Sequence, residues 1–147
     1  MLPSTLADIG HVCLNGFYGD GRPVGMLVTV EFPDFTYMLF LATFAEYRGQ
    51  GIGSKIIDSF YAENPDAFTI GAIEKPDESA DNNAQRLSRK TFYERLGYSA
   101  HDFGVRFNGC DFLVIAKGDD ADSREAVERC FNTMKEASDE LAKAFKQ

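Results

Sequence analysis

Apolar and polar positions alternate from Val12 to Tyr18, the period of a strand with one buried face, and Gly19-Asp20-Gly21-Arg22 follows as a turn signal. Val24 to Glu31 reads as the returning strand. Pro33-Asp34 then turns the chain into residues 35–43, an aromatic and apolar run suited to a buried strand. The period changes next: Ile52, Ile56, Ile57 and Phe60 share one helical face, and that helix ends near Asn64-Pro65. Residues 67–73 give a short apolar strand, expected parallel to the third through a right-handed crossover. A helix over 82–96 comes next, followed by a hairpin of 98–107 and 111–117 that turns at Asn108-Gly109. Last is an amphipathic helix over about 122–146. Val127, Phe131, Met134, Leu141 and Phe145 recur along it at three-, four- and seven-residue spacing, behind Asp122-Ser123-Arg124-Glu125 as a capping box.

Between the third strand and the first helix lies Arg48-Gly49-Gln50-Gly51-Ile52-Gly53-Ser54-Lys55. Alternate glycines let backbone approach a ligand with no Cβ in the way, and the free amides of the following helix favour an anion, above all a phosphate. A Walker A loop is excluded because Ser54-Lys55 displaces the lysine by one position, and the dinucleotide fingerprint fails because Ser54 stands where its third glycine belongs. What fits is Arg/Gln-x-x-Gly-x-Gly/Ala, filled by Arg48, Gly51 and Gly53. Some forty residues on, Arg89-Lys90-Thr91-Phe92-Tyr93-Glu94-Arg95-Leu96-Gly97-Tyr98 reads as a helix end. Phe92 and Leu96 fall four apart, Arg95 sits in the last turn and Gly97 takes the C′ position. Upstream, Glu74-Lys75-Pro76 closes a strand ahead of the polar stretch 75–83.

The loop, the Phe-Tyr-Glu-x-Leu-Gly-Tyr phrase and their order resemble the GNAT superfamily of N-acetyltransferases, specifically a bacterial subgroup with an Arg-rich Phe-Tyr helix. The resemblance covers roughly residues 12–117. It implies an α+β (α/β mixed) fold with a central mixed, mostly antiparallel sheet, a β-α-β acyl-CoA-binding crossover and the C-terminal amphipathic helix. It further implies acetyl-CoA as cosubstrate and direct transfer of acetyl to a primary amine of a small molecule or peptide. Leu41, Ala42 and Thr43 would pair with the pantetheine arm through their backbone, one amide polarising the thioester carbonyl. Arg48, Gly49, Gln50, Gly51, Ile52, Gly53 and Ser54 would hold the pyrophosphate. Glu74 matches the place of the general base, with Glu46 as the other carboxylate in view, and Tyr93 that of the general acid. One residue departs from the family pattern: Arg86 stands where many members carry an Asn that contacts pantetheine. A CoA-binding module without transfer activity, or a binder of nucleotide phosphate, are the alternatives the same loop allows.

Length and composition bear on this reading without carrying it. The chain of 147 residues, with 44% apolar residues and 13 Phe, has material for one domain over 1–147. A net charge of -8 argues against a nucleic-acid partner and suits a cationic amine. Cys13, Cys110 and Cys130 are widely spaced, His11 and His101 stand apart, and no metal constellation is visible, which fits reduced thiols in a cytoplasmic protein. The opening Met-Leu-Pro-Ser-Thr starts no apolar run long enough for secretion or membrane spanning. Few residues precede the first strand, so the helices that wall the acceptor site in the family have no counterpart there. The C-terminal helix would cover the sheet surface left open, or pair two copies as a homodimer.

Overall fold

A computed structural model describes residues 11–107 and 109–145. The opening pentapeptide and Asn108 of the expected turn lie outside the described residues. The chain falls into two compact units, one running from the first strand through the first helix and taking in the end of the last helix, the other holding the residues between. Within each unit the strands pair antiparallel, and with the three α-helices among the described residues they make a mixed α+β fold.

In the first unit, β1 (His11–Gly19) and β2 (Arg22–Glu31) form a hairpin. Its turn residues Asp20 and Gly21 both have positive φ, 52° and 77°, the pattern whose twist matches that of the flanking strands. β2 then pairs with β3 (Thr36–Thr43), matching Leu27 to Leu41 and Gly25 to Thr43, with a bulge between Val28 and Thr29. α1 (Ile52–Glu63) lies on these strands through Ile56 and Ile57, each 1% exposed, opposite Leu27. Gly25 makes that packing feasible: a Cβ there would stand 2.9 Å from Ile56 Cδ1 and 2.6 Å from the Ala42 carbonyl oxygen. Elsewhere in this unit Val12, Leu14 and Tyr18 of β1 and Leu39 and Phe40 of β3 are exposed.

The second unit is built on β4 (Thr69–Glu74), which pairs with β6 (Cys110–Lys117), and on β5 (Ser99–Phe107), which pairs with the other edge of β6. Central β6 is a near-continuous apolar run, and its Val114 and Ile115 are buried with Ile70 of β4 and Val127. α2 (Asn83–Arg95) contacts β4. α3 (Arg124–Phe145) begins against β5, where the Phe103 and Phe131 rings meet at 6.1 Å and the Arg124 guanidinium lies over Phe103.

The start of α3 differs from the expected capping box. Ser123, not Asp122, caps the helix, its Oγ accepting the Ala126 amide at 3.2 Å. Asp122 is otherwise engaged, its carboxylate accepting the Ser99 hydroxyl from β5. Val127 is fully buried as the periodicity predicts, while Phe131 and Met134 are half-buried. The side chains of Leu141 and Phe145 lie outside the described residues.

Candidate active site

β3 delivers Leu41, Ala42 and Thr43, all half-buried, to the start of the glycine-rich loop. One edge of this segment is taken up by β2, and a single 3-10 turn, Ala45–Tyr47, leads onward. Glu46, Arg48, Gly49, Gln50 and Gly51 are exposed. Gly51 is the N-cap of α1 in the left-handed region, φ 73°, and Gly49 shares that conformation at 81°. L side chains reach this region at a cost of about 1–2 kcal/mol, which explains the two glycines locally. The first intrahelical donor is the Lys55 amide, bonded to the Gly51 carbonyl at 3.2 Å. Hence the amides of Ile52, Gly53 and Ser54 have no partner within the helix, and no side chain among the described residues caps them. A Cβ at Gly49 or Gly51 would meet nothing within 4 Å, so the space above the loop is open. Unpaired amides, the positive end of a helix dipole, open glycines and the exposed Arg48 together fit a pyrophosphate group.

In the second unit, α2 ends in a Schellman motif. The Gly97 amide bonds the Glu94 carbonyl at 3.0 Å, the Tyr98 amide bonds the Tyr93 carbonyl at 3.0 Å, and Gly97 has φ 93°. The apolar contact that accompanies such caps is here aromatic, Tyr93 against Tyr98 with ring centroids 5.3 Å apart, while Phe92 meets Tyr93 edge-on at 5.0 Å. Tyr93 is thereby the buried residue of α2, 7% exposed. Its hydroxyl has no hydrogen-bond partner among the described residues. Burial pushes the phenol up to about 12, with Arg89 pulling weakly the other way.

Glu74 is the last residue of β4, and its carboxylate faces two arginines of α2. Arg86 Nη2 lies 2.9 Å from Glu74 Oε2, while Arg89 Nη1 stands 3.6 Å from Oε1, beyond hydrogen-bond length. Arg86 is fixed further by Nε donating to Asn82 Oδ1 at 2.8 Å and Nη1 donating to the Lys75 carbonyl at 3.1 Å. The Cys110 thiol, from the start of β6, donates to Glu74 Oε2 at 3.8 Å. This clamp is what reading the sequence missed. Its signal was present, since Arg86 and Arg89 are three apart and so share a helix face.

Beside the clamp is a cavity of about 540 Å³, bounded by the chain after β4, by Arg86 and by the β5–β6 hairpin. Two ion pairs lie along it, Lys75 Nζ to Asp102 Oδ2 at 2.7 Å and Arg106 Nη1 to Asp111 Oδ1 at 3.1 Å. Bonding to Asp102 raises the Lys75 amine above its usual value, and the Ser79 hydroxyl and amide hold the Asp77 carboxyl below its own. Glu46 belongs to the other unit, where it is exposed and makes no hydrogen bond or ion pair among the described residues. No group of three or more metal-ligating side chains occurs among the described residues, and no helix among them is long and apolar enough to cross a membrane.

The acetyltransferase (GNAT) domain model matches residues 10–100, most of the chain, so this chain belongs to the GNAT acetyltransferase family. Among solved structures it is similar to a putative GNAT-family acetyltransferase from Bacteroides thetaiotaomicron. That match has 21% identity and TM-score 0.65 over 85% of this chain and 73% of the other. It also resembles the ribosomal-protein-S18-alanine N-acetyltransferase of Escherichia coli, at 15% identity and TM-score 0.55 over 77% and 74% of the two chains. A GNAT family acetyltransferase from Elizabethkingia anophelis, solved with acetyl-CoA bound, matches at 13% identity and TM-score 0.55 over 79% and 80%. At such identities the likeness concerns the fold. No curated protein sequence matches the chain.

Proposed function

We propose that this protein transfers acetyl from acetyl-CoA to a primary amine by direct attack. The observation that carries the proposal is Tyr93, a buried phenol kept protonated and without a partner among the described residues. The cosubstrate supplies an acetyl group activated as a thioester. Ile52, Gly53 and Ser54 would hold its pyrophosphate through their amides, with Gly49, Gly51 and Arg48 around them, and the backbone of Leu41, Ala42 and Thr43 would receive its extended arm.

An ammonium substrate surrenders two protons as its nitrogen bonds the acetyl carbon and the carbon–sulfur bond breaks. Glu74 takes the first of them through a water at Oε1, the oxygen that Arg89 leaves open at 3.6 Å. Tyr93 gives its phenolic proton to the departing thiolate; the second proton from nitrogen passes to solvent, from which Tyr93 is restored, and the proton taken by Glu74 is released as the net proton. Arg86 and Arg89 keep the Glu74 carboxylate oriented throughout.

Thiol release from acetyl-CoA across an amine panel, with the acetylated product identified by mass, tests the reading. Tyr93→Phe should lower the rate constant by about ten- to a thousand-fold with CoA affinity little changed. Stabilisation by CoA with no thiol release from any amine would leave only a CoA-binding module.

A further inference from the structure

The cavity beside Glu74 has a composition that restricts what can occupy it. Among the described residues its lining carries six charged side chains, three cationic and three anionic, beside Pro76, Gly109 and Cys110. The hydrocarbon body of a simple alkyl or aryl amine would strip water from these groups and return no hydrogen bond, a costly exchange. A polyamine would meet as much positive as negative charge. The overall charge of -8 favours cations at long range, yet screening confines such effects to about 8–10 Å in physiological salt, so contacts within the cavity decide selectivity.

The cationic groups differ in availability. Arg86 is committed to Glu74, Asn82 and the Lys75 carbonyl, and its side chain is only 14% exposed. Arg106 is 65% exposed, its Nη1 pairs with Asp111, which is 52% exposed, and its Nη2 donates to the Gly109 carbonyl at 3.2 Å; contacts so open to water contribute little and can be exchanged for a ligand's carboxylate. A guanidinium also receives a carboxylate through two parallel bonds, which an ammonium cannot do. On the anionic side, Glu78 makes no hydrogen bond or ion pair among the described residues. The cavity therefore offers an open carboxylate and an exchangeable guanidinium together, with Cys110 placing it against Glu74 at 3.8 Å.

We infer that this cavity holds the non-reacting part of the acceptor, and that the acceptor is an amine bearing a carboxylate, of the amino-acid class, selected by Arg106. The inference rests on the amine-acetylation reading above and specifies its substrate. Lysine and its decarboxylated diamine form a suitable pair of probes, since they differ only by the carboxylate.

With acetyl-CoA saturating, kcat/KM for lysine should exceed that for the diamine by about two- to fivefold, the worth of one exposed ion pair. Arg106→Ala should bring the ratio close to one by raising KM for lysine, and Arg106→Lys should keep part of the preference. Calorimetric titration of both probes into the CoA-loaded protein reads the same selectivity without turnover. Selective binding of lysine with no thiol release would uphold the cavity assignment while overturning acetyl transfer. Equal or better use of the diamine, together with equal binding of the two, would overturn the inference, as would an Arg106→Ala variant with wild-type folding and an undiminished ratio.

Discussion

Removing one oxygen atom from Tyr93 should change how this protein responds to alkali. Burial raises the phenols of Tyr93 and Tyr37 from an ordinary value near 10 to about 12. In the unfolded chain both ionise near 10, so between 10 and 12 the folded state holds more protons, and stability must fall as pH rises through that window. Below pH 10 the contribution is fully present. The raised value of each phenol amounts to about 3 kcal/mol in full, of which roughly half is lost by pH 11. Tyr93→Phe keeps the ring against Phe92 and Tyr98 and removes a hydroxyl with no partner among the described residues, so its cost at pH 8 should be small. Urea unfolding of both proteins from pH 8 to 11 is the assay. The variant should lose about 1 kcal/mol less than the wild type over that range, other groups cancelling in the comparison. Equal alkaline losses would mean that the Tyr93 phenol ionises as freely in the folded protein as in the unfolded one.

Three further outcomes follow from the same geometry. Gly25→Ala should destabilise by about 1–3 kcal/mol in urea titration, because its Cβ lands 2.6 Å from the backbone oxygen of Ala42, which cannot step aside cheaply. Gly51→Val should lose most of the thermal stabilisation that CoA gives the wild type, through the strain of φ 73° and a side chain projecting into the open space above the loop; an undiminished shift would detach the loop from the cofactor. Glu74→Gln should reduce turnover at neutral pH, with partial recovery as pH rises and free amine forms, whereas a pH-rate profile identical to wild type in both kcat and KM would move the base to Glu46.

What the sequence made legible was whatever depends on short range. The β1–β2 turn, the glycines before α1 and the Gly97 cap are local devices whose residues announce a backbone conformation, and each lies where its residues placed it. Strand boundaries moved by a residue or two, as expected where pairing partners rather than propensity set the ends. The N-cap of α3 was misplaced because Asp122 and Ser123 are both good caps. The choice between them is made by Ser99, distant in sequence, which engages Asp122. For the Glu74 clamp the sequence offered half the signal, two arginines on one helix face, but the clamp and the cavity join β4, α2 and the β5–β6 hairpin, and spacing carries no record of which carboxylate those arginines reach.

Arg86, where many members of the family are expected to carry Asn, has a consequence for Tyr93, seven residues away on the same helix. An Asn at that position could not span from α2 to the end of β4 with three separate donors. Arg86 ties the first turns of α2 to Asn82, to the Lys75 carbonyl and to Glu74, while the Schellman motif and the Tyr93–Tyr98 ring contact fix the last turn onto β5's entry. A helix held at both ends cannot slide along its axis without breaking hydrogen bonds at one of them. Tyr93 and Glu74, acid and base in the proposed reaction, are therefore carried on elements joined directly by the Arg86–Glu74 pair. If Glu74 and Tyr93 carry the proton transfers of the proposed reaction, Arg86 fixes the geometry between them, which is where a fraction of an ångström matters most for rate.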